Sequence, residues 1–370
     1  MRGVLVILLF FSSILSASPL KIVQIASGLY HHCARFSDGT LRCWGLNANG
    51  ELGLEREDLW VTEAPDTPIV PLPLPVVDIA LGGRHTCAIF SDKTVRCWGE
   101  ALYGQLGVYS GETGKNKGDM KDLQPVLLPA NFHPAKLYLS TQGSCVLGGL
   151  GAVYCWGNGT GEEILPPRKI DLPSPALSLA LADETYCALF ANGSTSCFRA
   201  KPMDSTGSKF DQWPGRKVRN LQAGQNMICA ELEGLGIHCQ GAETFAEKTF
   251  GEGLDLGTGL AVDQFKCASG GHHCCAVFAP SGTLKCFGVN SGGQLGQNDR
   301  LTRGDSPETL GEYLPFVDLG RKARVRLLSL GFSSTCVVVG DLNVHCWGYG
   351  RHGSRATDIE DSPEFHFREH

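Results

Sequence analysis

Apolar residues recur at alternate positions around a short phrase that appears several times in the chain. The phrase is clearest as HTCAIFSDKTVRCWG (85–99), HHCARFSDGTLRCWG (31–45) and HCCAVFAPSGTLKCFG (273–288). In it, a small residue such as Ala34 follows a cysteine, and a large apolar residue such as Phe36 stands two positions further on. Successive side chains of a strand point to opposite faces, and the positions in between are frequently apolar too. The pattern therefore predicts short strands that are buried on both faces.

Each phrase also predicts a hairpin that is closed by a disulfide. If Cys33 faces Cys43, then Ser37 to Gly39 remain as a three-residue loop. Such a loop is a common hairpin closure when it ends in glycine, because glycine tolerates the left-handed conformation required there. Cysteines that face each other in a non-hydrogen-bonded pair are close enough to form a disulfide. Residues 87–97 fit the same scheme without the glycine, and residues 275–286 fit it with a four-residue loop.

Seven such cysteine pairs divide the chain into repeats. Six pairs have members ten residues apart, and the remaining pair has one extra residue. The pairs are Cys33 with Cys43, Cys87 with Cys97, Cys145 with Cys155, Cys187 with Cys197, Cys229 with Cys239, Cys275 with Cys286, and Cys336 with Cys346. Repeats of roughly 40–60 residues that each hold several short strands are typical of a propeller, which leaves few exposed sheet edges. The sequence therefore predicts an all-β fold, a seven-bladed β-propeller with one hairpin disulfide per blade.

Two further cysteines, Cys267 and Cys274, lie close to the sixth pair. We expect an additional disulfide between them, because the repeat requires Cys275 for its own hairpin. The pairing of Cys267 with Cys275 and of Cys274 with Cys286 remains open. A closed zinc site needs about four ligands, and the sequence has no CxxC…CxxC pattern, so we predict no metal and no cofactor.

The N-terminus predicts a secreted protein. Arg2 precedes a stretch of apolar residues and serine, Val4 to Leu15, which is too short to span a bilayer comfortably. Small residues follow, which predicts a signal peptide over residues 1–18 with cleavage between Ser16 and Ser18, the bond itself remaining open. Residues 19–370 are predicted to form one propeller domain without a membrane span. In an oxidising compartment, regularly spaced cysteines form a disulfide framework.

Composition narrows the set of partners. The chain has 370 residues, 42% of them hydrophobic, and a net charge of −6. This is enough apolar material for a core, and an acidic balance gives no electrostatic reason to bind DNA, RNA or anionic lipid. The sequence contains no nucleophile elbow, metalloprotease motif or kinase motif. We therefore predict a protein that is not an enzyme and has no nucleic-acid partner.

The patterns G-x-x-H-[ST]-x-A, G-x-[VL]-x-x-W-G and G-Q-L-G, in this order, resemble the regulator of chromosome condensation repeat, which forms seven-bladed propellers. Residues 82–107 match nearly throughout, 28–53 and 270–296 match well, and the other repeats lose much of the GQLG turn. The cysteine pairs are similar to those of secreted relatives, such as the ectodomain repeats of plant crinkly-type receptor kinases. The chromosomal member is a guanine nucleotide exchange factor, an activity that the predicted signal peptide disfavours here.

Several polar residues are candidates for a special role. His31, His85 and His273 recur at one position of the repeat, two residues before the paired cysteine, which favours packing or hydrogen bonding within the blade. Asn158 and Asn192 each begin an N-glycosylation sequon. Asn192 falls at a predicted hairpin tip, where it should be exposed.

The long segments between the blade cores are the best candidates for ligand binding, because propellers bind through variable loops that rigid blades hold in place. These segments are 55–75, 108–134, 200–217 and 297–315. Trp60 and Trp213 lie in two of them, and the repeat does not require either. We predict them as ligand contacts, since exposed aromatic rings anchor protein or sugar ligands. The alternative is that both rings simply cover blade edges.

Together these features predict a secreted, disulfide-bonded propeller that acts as an extracellular protein-binding module. A carbohydrate-binding or glycan-acting propeller is the alternative, and a nucleotide exchange factor is a third class. We also expect the C-terminal segment 362–367 to form a strand that shares a blade with the N-terminal segment 21–28 and so closes the ring.

Overall fold

The strands of each repeat follow one another along the chain and pair as an antiparallel meander. A computed structural model describes residues 19–61, 67–108, 111–157, 166–183, 185–199, 211–241, 253–268, 270–321 and 323–348, and the backbone of 365–366. Within these residues the chain forms seven sheets of three or four strands, and each sheet is one blade. The inner strand of each blade contacts the inner strand of the next, and the seventh contacts the first. The fold is a seven-bladed β-propeller, as the sequence predicts.

The first four blades are built as follows, from the inner strand outwards. Blade 1 contains β1 (Ile22–Ser27), β2 (His31–Phe36), β3 (Leu41–Leu46) and β4 (Trp60–Val61). Blade 2 contains β5 (Val76–Leu81), β6 (His85–Phe90) and β7 (Val95–Gly99). Blade 3 contains β8 (Pro134–Leu139), β9 (Gly143–Gly148), β10 (Val153–Gly157) and β11 (Arg168–Lys169). Blade 4 contains β12 (Ala176–Leu181), β13 (Thr185–Phe190) and β14 (Thr195–Arg199).

The last three blades complete the ring. Blade 5 contains β15 (Val218–Ala223), β16 (Met227–Leu232) and β17 (Gly236–Gly241). Blade 6 contains β18 (Ala261–Cys267), β19 (His273–Ala279) and β20 (Thr283–Gly288). Blade 7 contains β21 (Val325–Leu330), β22 (Ser334–Val339), β23 (Asn343–Gly348) and β24 (Phe365–His366). Two short 3₁₀ turns, Pro307–Thr309 and Gly311–Tyr313, lie between blades 6 and 7.

The hairpins have the register that the cysteine spacing predicts. Cys33 pairs with Cys43, and the paired cysteines of the other six hairpins also face each other. Gly39, the last residue of the first hairpin loop, has a φ of +84°. Lys93 takes the same place in the second loop with a φ of +69°. A residue other than glycine therefore adopts the left-handed conformation at a position where glycine meets no steric cost.

One disulfide joins the second and third strands of every blade, and all sixteen cysteines are paired. In blade order these bonds are Cys33 to Cys43, Cys87 to Cys97, Cys145 to Cys155, Cys187 to Cys197, Cys229 to Cys239, Cys275 to Cys286, and Cys336 to Cys346. They are the seven pairs that the repeat spacing predicts. Each one therefore connects the two strands of a single hairpin, and none of them links one blade to another.

The eighth disulfide makes blade 6 different from the others. It joins Cys267 of β18 to Cys274 of β19. Blade 6 is therefore cross-linked through all three of its strands, because Cys275 of the same β19 is bonded to Cys286 of β20. Of the two pairings that the sequence leaves open, the structure has this one.

The ring closes in a different way from the one that the sequence predicts. The C-terminal strand β24 pairs with β23 of blade 7, and β1 forms the inner strand of its own blade 1. The prediction that the two chain ends share a blade is therefore wrong. Blades 7 and 1 are joined instead by hydrogen bonds, such as Ile22 N to Asp341 O at 2.8 Å. They also share an apolar cluster that includes Trp44 and Val338. The ring is therefore closed by packing of apolar side chains between two separate blades, without a blade that the two chain ends share.

Candidate interaction surface

The two faces of the ring are built from different parts of the repeat. The turn face consists of the loops between inner and second strands, such as 28–30, and of the turns after third strands, such as 47–53. The tip face consists of the hairpin tips between second and third strands, such as 37–40, and of the starts of the inner strands. The first residue of an inner strand often bonds to the tip of the preceding blade, as Val76 N does to Gly39 O at 2.9 Å.

On the turn face, a buried polar network joins blade 1 to blade 2. Nε2 of His31 lies 3.0 Å from Oγ1 of Thr86 in the next blade. The Thr86 hydroxyl donates to the carbonyl oxygen of Glu51, which belongs to the turn after blade 1. The same carbonyl accepts the indole N–H of Trp98 in blade 2 at 3.1 Å. We call this arrangement the histidine–tryptophan network.

The network recurs at two further blade interfaces. Between blades 2 and 3 it consists of His85, Ser144, the carbonyl of Gln105 and Trp156. Between blades 6 and 7 it consists of His273, Thr335, the carbonyl of Gln294 and Trp347. The repeated histidine, the GQLG turn and the tryptophan therefore act together as one connection between blades. This confirms the structural role that repetition favours for the three histidines.

Burial keeps two of the network histidines, His85 and His273, neutral. Desolvation lowers the pKa of His85 to about 3, and the nearby His31 contributes in the same direction. Desolvation also lowers the pKa of His273 to about 3. A Cβ added at Gly82 would overlap the His85 ring, which explains the glycine three residues before this histidine. These side chains are buried and bonded through Nε2, so a ligand cannot reach them.

The glutamate of the first turn differs from its counterparts. Gln105 and Gln294 accept a backbone N–H from their own turns through Oε1, and Glu51 does so through Oε2 from Asn49 N at 2.6 Å. Burial raises the pKa of Glu51 to about 7, and the negative charge of nearby Glu100 adds to this. The turn of blade 1 therefore holds a carboxyl group that titrates near neutral pH.

Basic residues of the third strands hold the long segments in place. Lys285 Nζ donates to the carbonyl oxygens of Leu256 and Gly311 at 2.8 and 2.9 Å. Arg42 donates to Thr67 O in the equivalent position of blade 1, and Arg96 to Leu123 O in blade 2. The segments between blades are therefore fixed at these points. In the sequence these contacts are signalled by a basic residue directly before the second cysteine of the pair. The sequence-based prediction did not use it.

The tip face exposes most of the large apolar side chains. On the turn face these are Leu59, Leu102 and Leu301, and Tyr313 is exposed in the 3₁₀ turn between blades 6 and 7. On the tip face they are Ile69, Val77, Leu127, Leu150, Leu177, Leu235 and Phe316. Leu150 is 86% exposed and Leu177 is 60% exposed. An exposed leucine at a hairpin tip gains nothing from the solvent, so several on one face mark a candidate binding surface.

A groove lies between the hairpin tips of blades 3 and 4. It has a volume of about 460 Å³ and is lined by Gly149 to Gly151, Ser174 to Leu177 and Phe190 to Asn192. We call this the tip groove. Its exposed lining is mainly apolar, and Leu150 and Leu177 stand beside it. Sequence reasoning missed it, although Leu150 stands between two glycines at a predicted tip where four other repeats carry Asp or Asn.

The two predicted aromatic ligand contacts differ in their surroundings. Trp213 is only 4% exposed and packs in a cluster with Val218, Ile228 and Cys197. The prediction of an exposed ring at position 213 is therefore wrong, because the ring fills the space between blades 4 and 5. Trp60 is half-buried in the short outer strand β4, and its role as a ligand contact stays a prediction.

The remaining predicted residues fall in several places. Asn192 is exposed at the tip of blade 4, as predicted, and its Oδ1 accepts hydrogen bonds from Ser194. Asn158 and the predicted signal peptide lie outside the described residues. Cys229, Cys267 and Cys274 bring their Sγ atoms within 4.8 Å of one another. All three are in disulfides, which leaves no thiolate to coordinate a metal.

Two models for the regulator of chromosome condensation (RCC1) repeat match this chain. One matches residues 22–51 and 76–105, and the other matches residues 38–89. The chain is also 28% identical over 160 residues to the human probable E3 ubiquitin-protein ligase HERC4. That alignment covers 43% of this chain and 15% of HERC4, so the chain spans a small part of this curated relative. The resemblance to this repeat is therefore confirmed.

Solved structures show the same fold. Human WBSCR16 superposes with a TM-score of 0.67 at 17% identity, over 87% of each chain. The CRINKLY WD40 ectodomain of the Arabidopsis thaliana receptor kinase ACR4 gives a TM-score of 0.58 at 17% identity, over 90% of this chain and 97% of that one. Among the residues that the structure describes here, no helix is long and apolar enough to cross a membrane.

Proposed function

We propose that this protein is an extracellular binding module that docks another protein through the tip groove. The observation that carries the proposal is the pair of leucines, Leu150 and Leu177, exposed beside an apolar groove on disulfide-bonded hairpins. Apolar patches on otherwise polar surfaces mark protein interaction sites. Each disulfide restricts the unfolded chain and contributes about 3 kcal/mol in the chain-entropy model. The blades therefore hold the groove rigid and lower the entropy lost on binding.

A protein partner fits the tip groove better than a glycan does. Sugar rings are held by exposed aromatic faces, and the only aromatic ring among the groove-lining residues, Phe190, is 3% exposed. Trp213, which would have favoured a glycan, is buried. The groove instead suits one or two apolar side chains of a partner. We propose no enzymatic activity for this chain.

The extracellular location rests on the disulfides and on the fold comparison. Eight disulfides are typical of a protein in an oxidising compartment. A similar fold serves as a receptor ectodomain in ACR4. We propose that residues 1–18 are a signal peptide, that residues 19–370 form one propeller domain, and that Asn192 is glycosylated. A glycan on Asn192 would lie at the edge of the tip groove and limit which partners can approach.

The test compares three single variants of the secreted protein in cross-linked complexes. Leu150→Ser and Leu177→Ser remove the apolar surface beside the groove, whereas Leu102→Ser removes a leucine that is 64% exposed on the turn face. We expect the first two to lose at least ten-fold of the principal cross-linked protein, and Leu102→Ser to retain it. Equal capture by all three variants would overturn the tip groove as the docking site. Binding to a glycan array that is lost with Trp60→Ala would favour the carbohydrate alternative.

A further inference from the structure

The inner strands enclose a channel along the ring axis. It has a volume of about 420 Å³ and is lined by residues of β1, β5, β8, β12, β15, β18 and β21. At the turn face the loops after the inner strands bond to one another, for example Leu29 N to Gly83 O and Gly83 N to Thr141 O. Gly270 of blade 6 lies against Leu29 of blade 1 and Thr141 of blade 3. The loops thus meet across the axis, and the channel is narrowed at this end.

The charged lining of the channel is dominated by two lysines. Lys136 of blade 3 and Lys266 of blade 6 both line it, and Asp263 is the single carboxylate among the lining residues. Blades 3 and 6 lie on opposite sides of a seven-membered ring, so the two side chains approach the channel from opposite walls. Serine and amide side chains complete the polar lining, among them Ser178, Asn220, Gln222 and Ser329.

Lys266 is unusual for its position in the repeat. The equivalent residues of the other inner strands are Ala26, Ala80, Tyr138, Ala180, Gln222 and Ser329. No hydrogen bond or ion pair joins the Lys266 ammonium to any residue that the structure describes. Burial lowers the pKa of Lys266 to about 8, and repulsion from Lys136 adds to the effect. A half-buried cation without a hydrogen-bond partner carries a desolvation cost, and the packing of the blade does not require it.

A buried carboxylate close to Lys136, that of Asp78, is already engaged. Asp78 Oδ1 accepts from Gln24 Nε2, and Oδ2 accepts from Leu137 N, both at 2.8 Å. These bonds connect blade 2 to its two neighbours, and Asp78 is not among the channel-lining residues. Asp263 can balance one of the two lysines, which leaves the lining with a net positive charge of one.

We propose that the central channel binds a small anion that carries carboxylate or phosphate groups, held between the ammonium groups of Lys266 and Lys136. Charge-assisted hydrogen bonds from lysine suit both groups, and the amides and hydroxyls of the lining supply further donors. A volume of about 420 Å³ admits a small organic acid or a phosphate and excludes a folded partner. This site is independent of the tip groove.

The test measures binding of radiolabelled inorganic phosphate and, separately, of citrate by equilibrium dialysis against the complete secreted protein. Lys266→Gln copies the residue that blade 5 carries at this position, Lys136→Gln removes the opposite charge, and Lys169→Gln is the control on the exposed outer strand β11. We expect at least a ten-fold loss of affinity for the better probe in each channel variant and no change in the control. The two probes distinguish phosphate from carboxylate chemistry.

A second measurement separates binding from stability. Without added anion, Lys266→Gln should melt at the same or a higher temperature than the parent, because an unpaired buried charge is removed. With either anion in excess, the parent should gain thermal stability and Lys266→Gln should not. Binding of neither probe by the parent, or equal binding by the parent and Lys266→Gln, would overturn the proposal.

Discussion

The interfaces between blades 1, 2 and 3 carry the histidine–tryptophan network at the turn face, whereas those from blade 3 to blade 6 do not. In the first group a histidine, a hydroxyl, a turn carbonyl and an indole are all present. In the second group the histidine position holds Gly143, Thr185 and Met227, and the hydroxyl position of the next blade holds Tyr186, Ile228 and Cys274. The complete set of four is therefore absent from these three interfaces.

Other contacts take over where the network is missing. Between blades 5 and 6, Cys274 stands at the hydroxyl position, and its disulfide partner Cys267 lies 3.7 Å from Cys229 of blade 5. These sulfurs pack in one apolar cluster with Phe265 and Phe287. At the closing interface the two residue types are exchanged, with Ser334 at the histidine position and His32 at the hydroxyl position. Within this one propeller, neighbouring blades are therefore joined mainly by polar contacts at some interfaces and mainly by apolar contacts at others.

The family models match one part of the chain that carries the network. They match residues 22–105, where blades 1 and 2 carry the complete network. Blades 4 and 5 have the same strands, the same inner-strand bulge and the same hairpin disulfide without the network residues. Blades 4 and 5 therefore show that a blade forms without the network residues.

Acid should weaken the interfaces that carry the histidine–tryptophan network before it weakens the others. This is the largest effect that we expect. His85 and His273 have a folded-state pKa of about 3 against an ordinary value of 6.5. The unfolded chain therefore binds more protons between these values, and stability falls as the pH drops from 6.5 towards 3. At pH 5 the loss is about 2 kcal/mol for each histidine, or about 4 kcal/mol for both. Denaturant unfolding at pH 7.5 and pH 5 measures it.

The control for this prediction is the double variant His85→Gln with His273→Gln, which should lose less stability than the parent between the two pH values. Hydrogen exchange at pH 5 should rise in blades 1, 2, 3, 6 and 7 before it rises in blades 4 and 5. If hydrogen exchange rises first in blades 4 and 5, the interfaces that carry the network are not the ones that acid weakens most.

The second prediction concerns the three interfaces that carry the network. The turn after blade 1 has Glu51, where the corresponding turns after blades 2 and 6 have Gln105 and Gln294. The folded-state pKa of Glu51, about 7, lies above the ordinary value of 4.5. The stability that the protonated carboxyl provides is therefore complete below pH 4.5 and is lost as the pH rises towards 7. Glu51→Gln should stabilise the protein by about 3 kcal/mol at pH 8 and change little at pH 4.5.

The reverse substitution is the matched control for the glutamate prediction. Gln105→Glu places a carboxyl in the corresponding turn of blade 2, where the amide oxygen now accepts the N–H of Tyr103. We expect it to lower the denaturation midpoint at pH 8 more than at pH 4.5. A Glu51→Gln effect of the same size at both pH values would contradict the burial argument.

The sequence predicts the blades better than it predicts their connections. Hairpin register, blade number and disulfide pairing depend on residues within about ten positions of one another, as between Cys33 and Cys43. The network joins His31 to Thr86 across 55 residues through a backbone carbonyl, which no side-chain pattern reveals. The prediction that Trp213 is exposed fails for a similar reason, because the burial of its ring depends on residues of the next blade. The tip groove likewise arises only when the tips of blades 3 and 4 come together.

The smallest expected effect isolates one hydroxyl of the network. Thr86→Val keeps the shape of the side chain but removes the group that bonds to both His31 and the carbonyl of Glu51. A buried polar atom left without its partner costs about 1–3 kcal/mol, so we expect a loss of about 2 kcal/mol in the free energy of unfolding. Ile228→Thr is the matched control in blade 5, because Thr185 of the preceding blade 4 stands in place of the histidine. A hydroxyl at position 228 meets no imidazole from the preceding blade, so this variant should not gain stability. A higher free energy of unfolding, measured with denaturant, would show that the hydroxyl stabilises the interface without the histidine.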